Sequence, residues 1–178
     1  MGALAVKSVT IEEYLADPAY RHCEWVDGDV VELHVGTGKH GRIQARCAAK
    51  LIDHLSQNPI GEAYVELHCK LQIGGTTRYR LPDVCVKLGA AIEGRLEGSP
   101  ELCVEIRSPD DSVSDQIAKF TDYFANGCQL GWLILPEEKA VLVLSPGAPA
   151  PRVARVGDTL DGGNVLPGLN VPVDSLFG

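Results

Sequence analysis

The sequence predicts a single α/β domain, residues 1–178, in which a mixed β-sheet is flanked by helices. A length of 178 residues suits one domain that can bury a sizeable core. An apolar share of 45% and a charged share of 22% are typical of soluble globular proteins. Segments with helical periodicity alternate with short apolar runs of strand character, and neither a repeat nor a long linker divides the chain.

The first third of the chain is predicted to form a short helix, a hairpin and a long helix. Thr10-Ile11-Glu12-Glu13 is typical of a capping box, and Pro18 would end the helix that it begins. The pair Asp27-Gly28 within Glu24–Leu33 indicates a β-hairpin. A helix is expected from about residue 39 to 56. Its apolar positions recur every four residues and are Ile43, Cys47, Leu51 and Leu55.

The middle of the chain is predicted to be mostly extended. One strand is expected over residues 62–73 and a second over 79–88, with a glycine turn between them. Residues 89–100 contain several charges and little periodicity, so we expect a surface loop. Residues 101–106 then alternate apolar positions as a central strand of a sheet would.

The last third is predicted to return to the sheet through a helix over residues 113–125. Asn126-Gly127 would end this helix. Its core side is predicted to consist of Val113, Ile117, Phe120 and Phe124. Strands are expected over 129–135 and 140–144, and a final strand with a short turn over 165–178.

Charge and cysteine content limit the class of protein. With 24 acidic and 16 basic residues the formal net charge is −8, which argues against bulk electrostatic binding of nucleic acid. No apolar run has the roughly 18 residues that a membrane span needs, and no signal peptide is visible. The six cysteines include no C-x-x-C pair, so we interpret them as core residues of a reduced, cytoplasmic protein.

Two acidic residues lie in or beside apolar strand segments. Asp83 follows Pro82 at the start of one segment, and Glu105 lies inside another. A carboxylate in a buried strand is costly unless a partner or a metal compensates it, and two of them could hold Mg²⁺ through hard oxygen ligands. Composition alone favours a plainer alternative, in which Asp83 caps a turn and Glu105 pairs with Arg107.

An ordered series of motifs favours the metal site. The series begins with Thr10–Tyr14 and Glu24–Val31, continues through Leu81–Val84 and Val104–Pro109, includes Lys119, Tyr123, Asn126-Gly127 and Gly131–Ile134, and ends with Leu166–Leu169. Through it the chain resembles the PD-(D/E)XK nuclease superfamily and, within it, the Uma-two family of proposed restriction endonucleases. Leu135 departs from the family pattern, which commonly has an aspartate there.

The resemblance implies a restriction-endonuclease-like core and phosphodiester hydrolysis with Mg²⁺ or Mn²⁺. Asp83 and Glu105 would then bind the metal, with the backbone carbonyl of Ile106 as a further ligand. The superfamily's usual lysine position holds Arg107, which is a poor general base because arginine stays protonated. The family pattern places the lysine on the following helix, where Lys119 matches it. Lys119 would orient the attacking water and stabilise developing charge.

Two of these assignments have structural alternatives. Lys119 could instead form a surface pair with Asp115, four residues earlier on the helix. Glu24, which matches a family position in the hairpin, could be an outer ligand of the metal or an ordinary exposed strand residue.

Binding of a nucleic acid would require basic side chains. Candidates recur along the first long helix and beside the two acids: Lys39, Arg42, Arg46, Lys50, Arg80 and Arg107. Most such stripes are only solvated faces. His40 and His68 have no ligand spacing and are expected to make ordinary hydrogen bonds.

The leading hypothesis is therefore a metal-dependent endonuclease that acts on DNA. One alternative is a catalytically silent protein that keeps the nuclease fold and binds a partner. A third is hydrolysis of a smaller phosphate compound, which would need less basic surface. Cutting both strands of a duplex usually requires two active sites, so a homodimer is expected.

Overall fold

The computed structural model describes the backbone of residues 5–32 and 37–178, and the side chains from residue 8 onward. Its strands are β1 (Ala5–Ser8), β2 (Cys23–Val26), β3 (Asp29–Glu32), β4 (Gly61–Val65), β5 (Cys69–Ile73), β6 (Thr76–Arg80), β7 (Val84–Leu88), β8 (Leu96–Glu97), β9 (Leu102–Ile106), β10 (Leu130–Leu135), β11 (Ala140–Leu144), β12 (Arg152–Arg155), β13 (Thr159–Gly162) and β14 (Leu166–Pro172). Its α-helices are α1 (Ile11–Ala16), α2 (Gly38–Gln57), α3 (Val113–Phe124) and α4 (Asp174–Phe177), and a short 3-10 helix spans Pro18–Tyr20.

The strands of the described residues form two large sheets and a hairpin. The central sheet has the order β12-β11-β10-β9-β7-β4, and the N-terminal sheet has the order β1-β3-β2-β6-β5-β8. Each is mixed: β9 runs parallel to β10, β5 runs parallel to β8, and the other neighbours are antiparallel. The predicted α/β fold with helices flanking a mixed sheet is confirmed. The sequence pointed to one mixed sheet, and the described residues divide their strands among three.

Two predicted strands are wrong in the same way. Residues 62–73 form β4 and β5, and residues 79–88 form parts of β6 and β7, so each predicted strand is divided between the two large sheets. The first break lies near Glu66, whose φ is +52°, a left-handed conformation that no regular strand contains. The second contains Pro82, which has no N–H to donate to a ladder. The apolar pattern continues across both breaks because both sheets contact the same core.

The other predicted elements are largely confirmed. Thr10 and Glu13 form the capping box of α1 through reciprocal hydrogen bonds of 3.2 and 2.9 Å. The hairpin turns at Asp27-Gly28, both with positive φ, and its predicted last residue, Leu33, lies outside the described residues. The loop over 89–100 contains the short β8, and the chain end contains β14 and α4. The strands β12 and β13 were not predicted.

Alternating residues of the central sheet pack against two different layers. On one face, Val84 and Val104 contact α2 and the β13-β14 hairpin. On the other face, Cys85 and Cys103 join the core beneath α3 and β5. The close approach of α3 depends on Gly131, since a Cβ there would overlap the ring of Phe120. Glu105 lies two residues after Cys103 in β9, so its side chain is on the same face of the sheet as Cys103 and points towards α3.

The described residues contain no helix that is long and apolar enough to cross a membrane.

Candidate active site

Asp83 lies in the short link that connects the two large sheets, immediately before β7, and three neighbours hold it in place. The backbone N–H of Ile106 donates to Oδ2 at 2.7 Å, and Nε2 of His40 donates to Oδ1 at 3.1 Å. The side-chain amide of Gln44 donates to the Asp83 carbonyl at 3.0 Å. The hydrogen bond to Asp83 raises the pKa of His40. Both the carboxylate and the backbone of Asp83 are therefore fixed by α2 and β9.

Glu105 is buried in the middle of the central sheet, with its side chain directed towards α3. The hydroxyl of Tyr123 donates to Oε1 at 2.6 Å, and Nζ of Lys119 lies 3.5 Å from Oε2. Burial raises the pKa of Glu105 to about 7; the charge of Lys119 opposes this rise and that of Asp83 adds to it. Burial therefore disfavours the ionised form of Glu105, and an additional cation would stabilise that form.

Lys119 projects from α3 between two carboxylates. Its Nζ lies 3.4 Å from Oε1 of Glu24 and 3.5 Å from Oε2 of Glu105, and Asp115 is not among its ion-pair partners. The predicted alternative of a surface pair with Asp115 is wrong. Burial opposes the charge of Lys119, but Glu105 and Glu24 outweigh burial and raise its pKa. Lys119 is a cation in this site.

Glu24 is fully buried, so the alternative of an ordinary exposed strand residue is wrong. Its Oε2 accepts from Arg80 at 2.7 Å, and its Oε1 accepts from the backbone N–H of Leu81 at 3.2 Å. Burial raises the pKa of Glu24, but Lys119 and Arg80 outweigh it and leave the pKa below its ordinary value. Arg80 also donates to Asp122 of α3 at 3.0 and 2.8 Å. These ion pairs connect the N-terminal sheet to α3.

The side chains of these residues line one cleft of about 390 Å³. Glu24, Asp83, Glu105 and Lys119 all lie in its wall, as do the predicted ligand Ile106 and His40 of α2. Further acidic residues of the wall are Glu32, Asp111 and Asp115. The cleft is therefore rich in oxygen ligands and negative charge.

The donor set suits a hard cation with few protein ligands. The described residues contain no group of three or more His, Cys, Asp and Glu side chains that could hold a metal on their own. Asp83 and Glu105 supply two carboxylates. Because the N–H and C=O of one strand residue face the same neighbour, the carbonyl of Ile106 points to the side of Asp83, as its N–H does. Mg²⁺ commonly takes one or two carboxylates and keeps several waters, so this set fits it.

The predicted nucleic-acid contacts fall into three groups. Lys39 and Arg107 form ion pairs with Glu137 and Glu138 of the turn after β10. The alternative pairing of Arg107 with Glu105 is therefore wrong. Arg80 is paired internally, as described above. The remaining three lie along α2: Arg42 and Lys50 are exposed, and Arg46 is partly buried with its guanidinium beside Gly178.

Three residues around the carboxylates were not predicted as functional. His40 and Gln44 are one helical turn apart and both contact Asp83. Tyr123 is one turn beyond Lys119 and contacts Glu105. His40 was expected to make an ordinary hydrogen bond, and its partner is Asp83. A signal was present in the i, i+4 spacing of each pair, but the spacing does not say which strand a helix covers.

The sequence profile of the Uma2 family, described as "Putative restriction endonuclease", matches residues 11–174. The chain belongs to the Uma2 family. No curated protein matches it.

The fold of this Uma2 protein is also found in a crystal structure of "a putative nuclease belonging to DUF820 from Anabaena variabilis ATCC 29413". The two structures superpose with a TM-score of 0.80 at 24% sequence identity, over 95% of this chain and 97% of that chain. The resemblance predicted from the motif series is thus confirmed for family and fold.

Proposed function

We propose that this Uma2 protein is a metal-dependent endonuclease that hydrolyses phosphodiester bonds of DNA with Mg²⁺ or Mn²⁺. The observation that carries the proposal is the meeting of Asp83, Glu105 and Lys119 in one cleft. These residues come from a link between sheets, a central strand and a helix. The family match supports the same reaction class.

In the proposed reaction, Asp83, Glu105 and the Ile106 carbonyl hold the metal, with Glu24 in its outer surroundings. The bound metal would lower the pKa of a water and offset charge that develops on the phosphate. His40 and the Ile106 N–H keep the Asp83 carboxylate in one orientation. Tyr123 does the same for Glu105.

Lys119 is proposed to act as a fixed positive charge rather than as a base. Two carboxylates beside it stabilise its protonated form, so it has no lone pair with which to accept a proton. An ammonium group at this position would position the attacking water and stabilise the negative charge of the transition state.

One observation favours the alternative of a catalytically silent nuclease fold. Each oxygen of Asp83 and Glu105 already has a donor or cation from the protein within 3.5 Å. Such a set could be a closed structural network in which no metal is needed. Metal binding distinguishes the two functions without any knowledge of the substrate.

The first test is Mn²⁺ titration calorimetry on the parent protein and on Asp83→Asn. We expect the parent to bind and the variant to lose binding, because the amide removes one of two carboxylate ligands. Asp53→Asn is the matched control, since Asp53 is exposed on α2 and its carboxylate has no hydrogen bond to any described residue. Equal binding by the parent and Asp83→Asn would remove Asp83 from the site. Absence of binding in the parent would favour the silent alternative.

The second test concerns Lys119. Lys119→Met should keep Mn²⁺ binding but lower the rate of DNA cleavage by roughly a hundredfold or more, as loss of a transition-state donor does. Cleavage is measured on supercoiled plasmid and on a single-stranded oligonucleotide. Lys70→Met is the control, because Lys70 also forms a lysine–glutamate pair, at 3.2 Å, but with Glu97 of the N-terminal sheet. Full activity of Lys119→Met would contradict the proposed role.

A further inference from the structure

The turn between β10 and β11 places two consecutive glutamates against two basic residues. Glu137 Oε1 lies 2.8 Å from Nζ of Lys39. The carboxylate of Glu138 accepts from Nη2 of Arg107 at 2.9 and 3.1 Å. Lys39 belongs to α2 and Arg107 follows β9, so one turn neutralises cations from two separate elements.

Both cations are adjacent to the residues that hold Asp83. Lys39 precedes His40, and Arg107 follows Ile106; each of these neighbours donates a hydrogen bond to the Asp83 carboxylate. Lys39 and Arg107 therefore belong to the surroundings of the cleft. They are the basic residues closest in sequence to the groups that contact Asp83.

The carboxylates of the two ion pairs are accessible and can therefore exchange, while the Arg107 side chain is only 16% exposed. The side chains of Glu137 and Glu138 are 58% and 44% exposed. Exposed carboxylate pairs contribute little to stability, so an incoming anion can displace them at small cost. Arg80 is the contrast within the same protein, because its partners Glu24 and Asp122 are buried and cannot leave.

A phosphodiester is the anion that matches these positions. Its two unesterified oxygens carry one negative charge in a geometry similar to a carboxylate, and a guanidinium can bind them in a bidentate manner. A nucleic-acid backbone repeats this group along the chain. Successive phosphates of one strand could therefore contact Lys39 and Arg107.

We infer that Lys39 and Arg107 form a phosphate-contact surface beside Asp83, which Glu137 and Glu138 occupy in the free protein until backbone phosphates of DNA displace them. This inference rests on the proposed function, since it assigns the surface that brings DNA to the cleft. Such an arrangement would also weaken non-specific binding, because each phosphate contact must first replace an internal carboxylate.

The test measures DNA affinity in the double variant Glu137→Gln/Glu138→Gln. Fluorescence anisotropy is recorded with a labelled duplex in Ca²⁺, so that binding is separated from cleavage. Removal of both competing carboxylates should tighten binding roughly five- to twentyfold at low salt, the combined effect of two exposed pairs. The slope of log affinity against log salt concentration should also become steeper by about one to two units. The reason is that two more phosphate contacts would each release their counterions without a competing carboxylate.

The matched control is Glu62→Gln/Glu93→Gln, which changes the net charge equally. Both residues are exposed and neither has an ion-pair partner among the described residues. The control should change affinity far less. An equal gain in both double variants would attribute the effect to bulk charge and overturn the inference.

A second pair of substitutions identifies the contact residues. Lys39→Gln/Arg107→Gln, introduced into Glu137→Gln/Glu138→Gln, should abolish the gain in affinity and return the salt slope to that of the parent. A gain that persists would place the contacts elsewhere, for example on Arg42 and Lys50, and overturn the inference. Parent-level affinity in Glu137→Gln/Glu138→Gln would overturn it too, while leaving the nuclease proposal intact. Failure of every protein, including the parent, to bind duplex or single-stranded DNA would reject both.

Discussion

The charged residues of the cleft and those at its edge differ in how far their carboxylates are buried. In and beside the cleft, Glu24 and Asp122 are buried and Arg80 is mostly buried, and each has partners from another element. At the edge of the cleft, the carboxylates of the ion pairs are exposed and belong to Glu137 and Glu138, adjacent residues of one turn. Both sets contain short ion pairs, so distance does not distinguish them. Burial does, because it decides whether a lost partner can be replaced by water.

The largest expected effect comes from breaking the buried network. Arg80→Met would remove the cation that the buried carboxylates of Glu24 and Asp122 share, and loss of one partner from a buried pair typically costs about 3–5 kcal/mol. We expect the free energy of unfolding, measured by urea denaturation, to fall by about this amount. Arg155→Met is the control, since Arg155 is exposed and has no ion-pair partner in the described part of the chain. A loss as small as that of the control would show that the network does not stabilise the fold.

An intermediate effect is expected from Tyr123→Phe, which removes one donor and no charge. The hydroxyl donates to Oε1 of buried Glu105 at 2.6 Å. Loss of a hydrogen bond to a buried charged group should lower the free energy of unfolding by about 1–3 kcal/mol. Tyr20→Phe provides the comparison, because the Tyr20 hydroxyl has no hydrogen bond within the described residues. If both variants unfold at the same urea concentration, Glu105 does not depend on this donor.

The smallest effect on the free energy of unfolding is expected at the edge of the cleft. Glu138→Gln should change the free energy of unfolding by less than about 1 kcal/mol, as exposed pairs usually do. The same urea titration measures it, and added salt should reduce the difference further. A loss comparable with that of Arg80→Met would make Glu138 a structural residue. It would remove the distinction between the cleft and its edge.

The sequence was sufficient to predict the fold class and to name three residues that the structure brings together in one cleft. Asp83, Glu105 and Lys119 could be named because each stands at a motif position and because an acid inside an apolar strand is conspicuous. The helices α1, α2 and α3 could be predicted because caps and four-residue apolar spacing are local signals.

The remaining features depend on contacts between distant segments. His40 and Asp83 are hydrogen-bonded although they lie 43 residues apart in the sequence, and Arg80 and Glu24 lie 56 residues apart. No local pattern specifies such a pairing. The division of the two long strands was missed for the same reason. An apolar run indicates that a segment is buried, but it does not indicate which sheet the segment pairs with.

The link that contains Asp83 has a consequence for folding. Because it passes from one large sheet to the other, the cleft needs β2 and β6 on one side and β7, β9 and α3 on the other. A chain that ends before α3 lacks Lys119, Asp122 and Tyr123, and no shorter N-terminal fragment contains the complete set of charges. Long-range pairings of this kind form late and cooperatively. The cleft should therefore be assembled only after most of the chain has been synthesised.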